Sequence, residues 1–159
     1  MFIKPHTNIT ITNPEYENLS KIELIERWKA KQGQDIICNL LKNRFDRRSL
    51  IDNIGRLNRK YDLRGIQLYD NNFSRLNLSG IDFTYSDLSD CKFIFTNFNN
   101  TILSNCDIQN SNFRCASFHK SIFDKVKFNT RTNFREADLK CADLTKAKLL
   151  QLMMIFLKI

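Results

Sequence analysis

The residue types that carry covalent or proton-transfer chemistry are few and scattered in this 159-residue chain. Its two histidines, His6 and His119, stand without a neighbouring nucleophile motif. Five cysteines (Cys38, Cys91, Cys106, Cys115 and Cys141) form no CxxC pair and no metal-like spacing, so reduced thiols are the simplest reading. No GxSxG, Walker loop or HExxH occurs, and only four glycines are present. Aspartates are frequent, but six of the twelve recur at one fixed register, the residue before an apolar centre, so pairs of them are no sign of an acid–base site. The expectation is a protein without catalytic activity, with no cofactor and no metal.

What remains is charge. The net charge of +8 favours an anionic partner, and it is unevenly spread. Residues 1–60 hold 12 Lys/Arg against 7 Asp/Glu; residues 61–110 hold 3 against 6; residues 111–159 hold 10 against 4. The elements that position these charges follow from a repeat. In "READLKCADLTKAKLL", residues 135–150, Ala-Asp-Leu recurs after five positions, a spacing that fits neither helix nor strand. From Leu63, every fifth residue through Phe128 is Leu, Phe or Ile. One extra residue in "NTRTN", 129–133, shifts the phase, which resumes at Phe134, Leu139, Leu144 and Leu149. The residues two before each centre form a second, mostly small series that includes Ser86, Cys91, Thr96, Ala116 and Ala137. Positions two apart share a face of an extended chain, whereas the next step of three would flip the face. Only a corner every five residues keeps both series inside.

"SNFRC-ASFHK-SIFDK" and "ADLKC-ADLTK-AKLLQ" resemble the pentapeptide-repeat family, whose pattern is A(D/N)LXX. The resemblance covers about residues 61–150. It implies a mainly β fold, a right-handed quadrilateral β-helix with four pentapeptides per coil. That gives about four and a half coils and roughly 20 Å of superhelix at strand spacing. Residues 20 apart then stack, and the column Phe73/Phe93/Phe113/Phe134 should line one face with stacked rings. Cys91 and Cys106 fall at small inward positions, where a thiol packs as a small hydrophobe. Cys115 and Cys141 point outward on different columns. Two departures from the pattern are Asn71 at an inward position and the insertion at 129–133, expected as a bulge at a corner.

A filled β-helix leaves function to its outside. Arg114 and Arg135 should stack, with His119, Lys120 and Lys140 close round the corner. Lys125/Lys146 and Lys127/Lys148 should form two columns at the corner between the first and second faces. Asp62, Asp82, Asp70, Asp90, Asp87 and Asp107 are expected on that same corner in earlier coils, making one end acidic and the other basic. The first functional expectation is a protein–protein interaction module that presents a rigid surface to a cytosolic partner. The alternative, implied by quinolone-resistance members of the family, is a DNA-mimicking modulator of DNA gyrase or topoisomerase. The basic balance argues against it, because mimicry needs an anionic rod. A third is nonspecific nucleic-acid binding through the basic columns, without aromatic interleaving for base stacking.

A β-helix exposes strand edges at both ends, which must be covered or used. Within residues 1–60, read as an N-terminal segment and helical cap, Ser20 and Glu23 make a capping box before "KIELIERWKAKQG". Gly33 is placed at a helix stop, Ser49 and Asp52 as a second capping pair, and Ile22, Leu24, Ile25 and Trp28 as one apolar stripe. Three helices are expected. Beyond the β-helix of 61–150 lies an apolar tail, 151–159. Its Met153, Ile155 and Phe156 would point outward, and such a patch marks an interface. Gyrase-inhibiting relatives dimerise through C-terminal apolar residues, so a homodimer is an implied option. No stretch has the apolar core of a signal peptide or the length of a membrane span, so a cytoplasmic location is expected.

Overall fold

The structure is a computed structural model and describes residues 18–147. It opens with three helices: α1 (Lys21–Lys29), α2 (Lys31–Lys42) and α3 (Arg47–Asn53). The capping box of α1 forms: Glu23 N donates to Ser20 Oγ at 3.3 Å, and Ser20 N donates to Glu23 Oε2 at 2.7 Å. These bonds satisfy two amides that a helix start leaves free. Three local expectations need correction. The helix stops at Ala30, whose ψ of 152° breaks the spiral, and Gly33 lies inside α2. Gly33 is there for closeness, because a Cβ would come within 2.4 Å of the Arg27 carbonyl oxygen. The cap of α3 is Asp46, whose carboxylate accepts from Ser49 N at 2.7 Å, rather than Ser49 itself. And α1 buries only Leu24 and Trp28, while Ile22 stays exposed.

A tight hairpin links the helices to the repeats. Strand β1 (Arg56–Leu57) pairs antiparallel with β2 (Lys60–Asp62) across Asn58 and Arg59, both at positive φ, as an I′-type turn requires. Strand β2 then pairs in parallel with β3 (Ile81–Asp82). From there the chain returns upon itself every 20 residues. Four ladders of parallel pairing result: Asp62/Asp82/Ile102/Ile122, Gln67/Asp87/Asp107/Lys127, Asn72/Lys92/Asn112 and Asn77/Asn97/Ser117. After the insertion the step becomes 21, with Asn133, Asp138 and Asp143 closing three of them.

Each corner is specified by backbone and side chain together. Residue two after a centre has positive φ, as in Gly65, Asp70, Arg75, Gly80, Tyr85 and Asp90. The next amide usually bonds to the centre's carbonyl, as from Ser86 to Phe83 at 2.9 Å, which completes a type II pattern. Asn and Asp tolerate this conformation; Phe95, Lys120 and Glu136 adopt it at a cost of about 1 kcal/mol each. Where an Asp or Asn precedes a centre, it steadies the turn by accepting from the amide two residues on, as Asp87 does from Ser89 at 3.0 Å and Asp138 from Lys140 at 2.9 Å. This explains the recurring acid without any catalytic role.

The small inward residues are also bonded. Ser86, Thr96 and Ser111 donate to the carbonyls of Leu63, Phe73 and Leu88 in the coil below. Cys91 and Cys106 do the same through sulfur, to Leu68 at 3.0 Å and Phe83 at 2.8 Å. They are donors as well as filler. Asn71 spends its amide on the carbonyls of Leu68 and Tyr69. At the core, Phe73, Phe93, Phe113 and Phe134 stack with centroids 4.9–5.2 Å apart and planes within 13°. Phe45, just before α3, meets the near end of this stack edge-on at 5.5 Å.

Candidate interaction surface

The predicted cations do not converge on one site. The ladder order places Lys125 and Lys146 at the corner after the first ladder, and Lys127 on the second. Arg114 and Arg135 follow the paired Asn112 and Asn133 of the third ladder. His119, Lys120 and Lys140 follow Ser117 and Asp138 of the fourth. The corners after the third, fourth and first ladders follow one another round the coil, so the cations spread over three successive corners rather than gathering at one. Lys148, Met153, Ile155 and Phe156 lie outside the described residues.

Partnering divides these cations further. Glu136 pairs with Arg114 and with Arg135, each at 3.3 Å. It also accepts from the Cys115 thiol at 3.0 Å, which draws the carboxyl below its ordinary value and pushes the thiol up. Lys127 stands directly in line with Asp107 and Asp87. Lys120, Lys125, Lys140 and Lys146 are exposed, and no ion pair reaches them among the described residues.

The acidic end differs from expectation. Asp70 and Asp90 sit at positive-φ positions after the second ladder, one corner away from Asp62 and Asp82. Asp62 and Asp82 are not surface charges at all, each being 9% exposed. Asp62 receives both η nitrogens of Arg27, at 3.0 and 2.9 Å, and Arg64 Nε at 2.9 Å. Burial pushes its pKa up, but the hydrogen bonds from Arg64 and Arg27 outweigh this and hold it at about 2. Asp82, bonded to Thr84, is pushed up by burial. Arg27 and Trp28 Nε1 both donate to the Arg64 carbonyl at 2.8 Å, and Gly65 leaves α1 no room for a Cβ beside the Leu24 carbonyl. The helices are thereby locked onto the first corner. Sequence reading missed this clasp, although the adjacent Arg27-Trp28 and Asp62-Leu63-Arg64 were its only local signal.

Burial pushes the Cys91 thiol up to about 12 and Cys106 well above its ordinary range, so neither is a nucleophile. Among the described residues, no group of His, Cys, Asp and Glu is arranged to hold a metal ion, and no helix is long and apolar enough to cross a membrane.

The sequence profile of pentapeptide repeats matches residues 62–94, 91–129 and 130–149. The chain belongs to the pentapeptide-repeat family, whose members fold as right-handed quadrilateral β-helices and are generally non-enzymatic structural or interaction proteins. No curated protein matches the chain. Among solved structures, it is similar to a pentapeptide repeat protein of the Arabidopsis thaliana thylakoid lumen, with 14% identity, TM-score 0.29, and 53% of this chain and 65% of that one covered. It is also similar to HetL of the cyanobacterium Nostoc, involved in heterocyst differentiation regulation, with 21% identity and TM-score 0.25 over 52% of this chain and 51% of that one. A third similarity is to Rfr23 of the cyanobacterium Cyanothece, with 20% identity and TM-score 0.24 over 52% of this chain and 82% of that one. The chain spans about two thirds and one half of the length of the first two.

Proposed function

We propose that this protein is a non-enzymatic interaction module: a β-helix of about four and a half coils, capped at its N-terminal end by the three helices, that docks an acidic cytosolic protein. The observation that carries the reading is the set of exposed lysines on the late coils, Lys120, Lys125, Lys140 and Lys146, held on a rigid ladder without ion-pair partners among the described residues. Unpaired charge carried on a fixed backbone steers an anionic partner. A homodimer through Met153, Ile155 and Phe156 extends the reading, with the two copies presenting the lysines twice. Mimicry of DNA toward gyrase is the weaker alternative, because two of the six early aspartates are buried in a clasp with arginine. Phosphate contact with nucleic acid is a third use of the same lysines. Chemical cross-linking of the purified protein in native extract, with and without Lys120→Glu and Lys140→Glu, tests the proposal. The expected result is a discrete acidic partner lost in the double variant; capture that is unchanged by the reversal overturns it. Duplex DNA competing for the same lysines at physiological salt would shift the assignment to nucleic acid.

A further inference from the structure

The helical segment and the first coil leave two cavities between them. The larger, about 290 Å³, opens beside Trp28, and its arginines already bond to Asp62, the Arg64 carbonyl and the Tyr61 hydroxyl. The smaller, about 140 Å³, lies where the turn between α2 and α3 meets the first coil. Arg44, Arg47 and Arg75 line it, and all three are exposed. None of them makes an ion pair among the described residues. Arg75 is steadied by the Phe95 ring, whose centre is 5.7 Å from the guanidinium carbon. The one carboxylate in the lining, Asp46, is engaged as the cap of α3, accepting from Ser49 N at 2.7 Å. Asn77 gives its Oδ1 to Ser79 N at 3.1 Å, which leaves Asn77 Nδ2 and the Ser79 hydroxyl as two further donors in the same lining.

Arg44 also occupies a position that disfavours it. It follows α2 as the left-handed residue of a Schellman turn, with φ of 54°, Arg44 N on Leu41 O at 3.1 Å and Phe45 N on Leu40 O at 2.8 Å. Glycine is usual there, because it has no Cβ to strain. An arginine at such a position, with two like charges on the same cavity, breaks a local rule in the way functional sites do.

We propose that this cavity binds a phosphoryl dianion, carried either by free phosphate or by a small phosphate monoester. Three guanidinium groups against one carboxylate leave two positive charges, which match the dianion. The planar fork of each arginine fits the terminal oxygens of a phosphoryl group, and the Asn77 and Ser79 donors add neutral hydrogen bonds. A carboxylate ligand, with one charge and two oxygens, would leave part of this set unmatched. The volume is well below the roughly 300 Å³ at which pockets for drug-sized ligands begin, which suits a phosphoryl group with a small substituent. The site lies on the first coil, apart from the lysines of the late coils, and its use does not depend on theirs.

Isothermal titration of the full chain at pH 7.5 with inorganic phosphate and with phenyl phosphate tests the assignment. Saturable binding of at least one is expected, and the tighter of the two identifies the source; acetate should bind about tenfold more weakly or less. Affinity should fall between pH 7.5 and pH 5, as the phosphate takes up its second proton near a pKa of about 6. Arg44→Gly is the decisive variant, because it removes a donor while giving the turn the residue it prefers. It should keep or raise the melting temperature and weaken binding about tenfold or more, the loss expected for one charge-assisted hydrogen bond. Arg47→Gln with Arg75→Gln should abolish binding, and Lys120→Glu on the late coils should leave it unchanged. No saturable binding of either phosphate at millimolar concentration, full affinity in Arg44→Gly, or an equal loss in Lys120→Glu would each overturn the assignment.

Discussion

The coil and the helical segment on its first corner solve the same problem, burying apolar surface, by opposite means. In the coil, one solution is repeated: a Leu or Phe centre, a small donor two residues before it, an Asx-steadied corner and a backbone pairing one coil away. Identical units pack against identical units, so rings stack at 4.9–5.2 Å. The helical segment has no such register. It reaches the coil through individual devices: the Arg27–Asp62–Arg64 clasp, Trp28 on the Arg64 carbonyl, Phe45 across the end of the phenylalanine stack. Repetition closes space, and a junction between two architectures leaves some, which is why the cavity lies at the junction. The difference teaches that irregular contacts, not the repeats, hold the specific features of this family member.

The contrast is open to attack by mutation. The largest loss is expected from Phe113→Ala, which removes a fully buried ring with stacked neighbours on both sides. A cost of about 4 kcal/mol in chemical denaturation, spread over the whole coil, is the prediction. Next comes a pair at one repeat position. Asp62→Asn should cost about 3 kcal/mol by leaving Arg27 and Arg64 buried without their counter-charge. Asp82→Asn, one coil away, should be neutral or stabilising at pH 7, because the amide keeps the acceptor for Thr84 and drops a charge that burial disfavours. Equal losses from the two variants would break the distinction between a clasp and a corner.

The same pair sets opposite pH dependences. Asp62 has a lowered folded pKa, so its contribution is complete above the ordinary value of 3.8 and is lost as pH falls toward about 2. Asp82 has a raised folded pKa, so its contribution is present at low pH and is lost as pH rises through the folded value. In the wild type the helical segment should loosen in acid before the coil does, read by Trp28 emission against far-ultraviolet dichroism. The Asp62→Asn variant should lack this early acid transition.

A smaller effect tests the one irregularity inside the coil. Asn129 accepts from the amides of Asn110, Arg131 and Thr132 and donates to Asn110 Oδ1 at 2.9 Å. Its side chain is what lets the ladder continue after a 21-residue step. Asn129→Ala should cost about 1–2 kcal/mol, comparable to loss of a helix cap, with the repeats before it unaffected by hydrogen exchange. The smallest effect separates thiols by position. At pH 7.5, a maleimide should label the exposed Cys38 and Cys141 readily, while Cys91 and Cys106 react only after unfolding. Labelling of Cys91 in the folded protein, seen by mass spectrometry, would refute the sealed interior.

Much of this protein was readable from residue spacing alone, for a physical reason. A five-residue register forces every side chain to one of a few orientations, so Phe73, Phe93, Phe113 and Phe134 are assigned to one column by arithmetic, and the structure stacks them. The capping box at Ser20 was equally legible, because its partners are three residues apart. Where partners are distant, spacing is silent. Gly33 reads as a helix stop until the Arg27 carbonyl is seen against it, and Asp62 reads as a surface charge until Arg27, 35 residues earlier, closes on it. The sequence by itself determined the coil, its core columns and the cationic character of its late turns. Only the tertiary structure decided which aspartates are buried, which corners share a face, and that a cavity opens beside the single tryptophan where the helices meet the first coil, because those depend on contacts between segments that obey no common period.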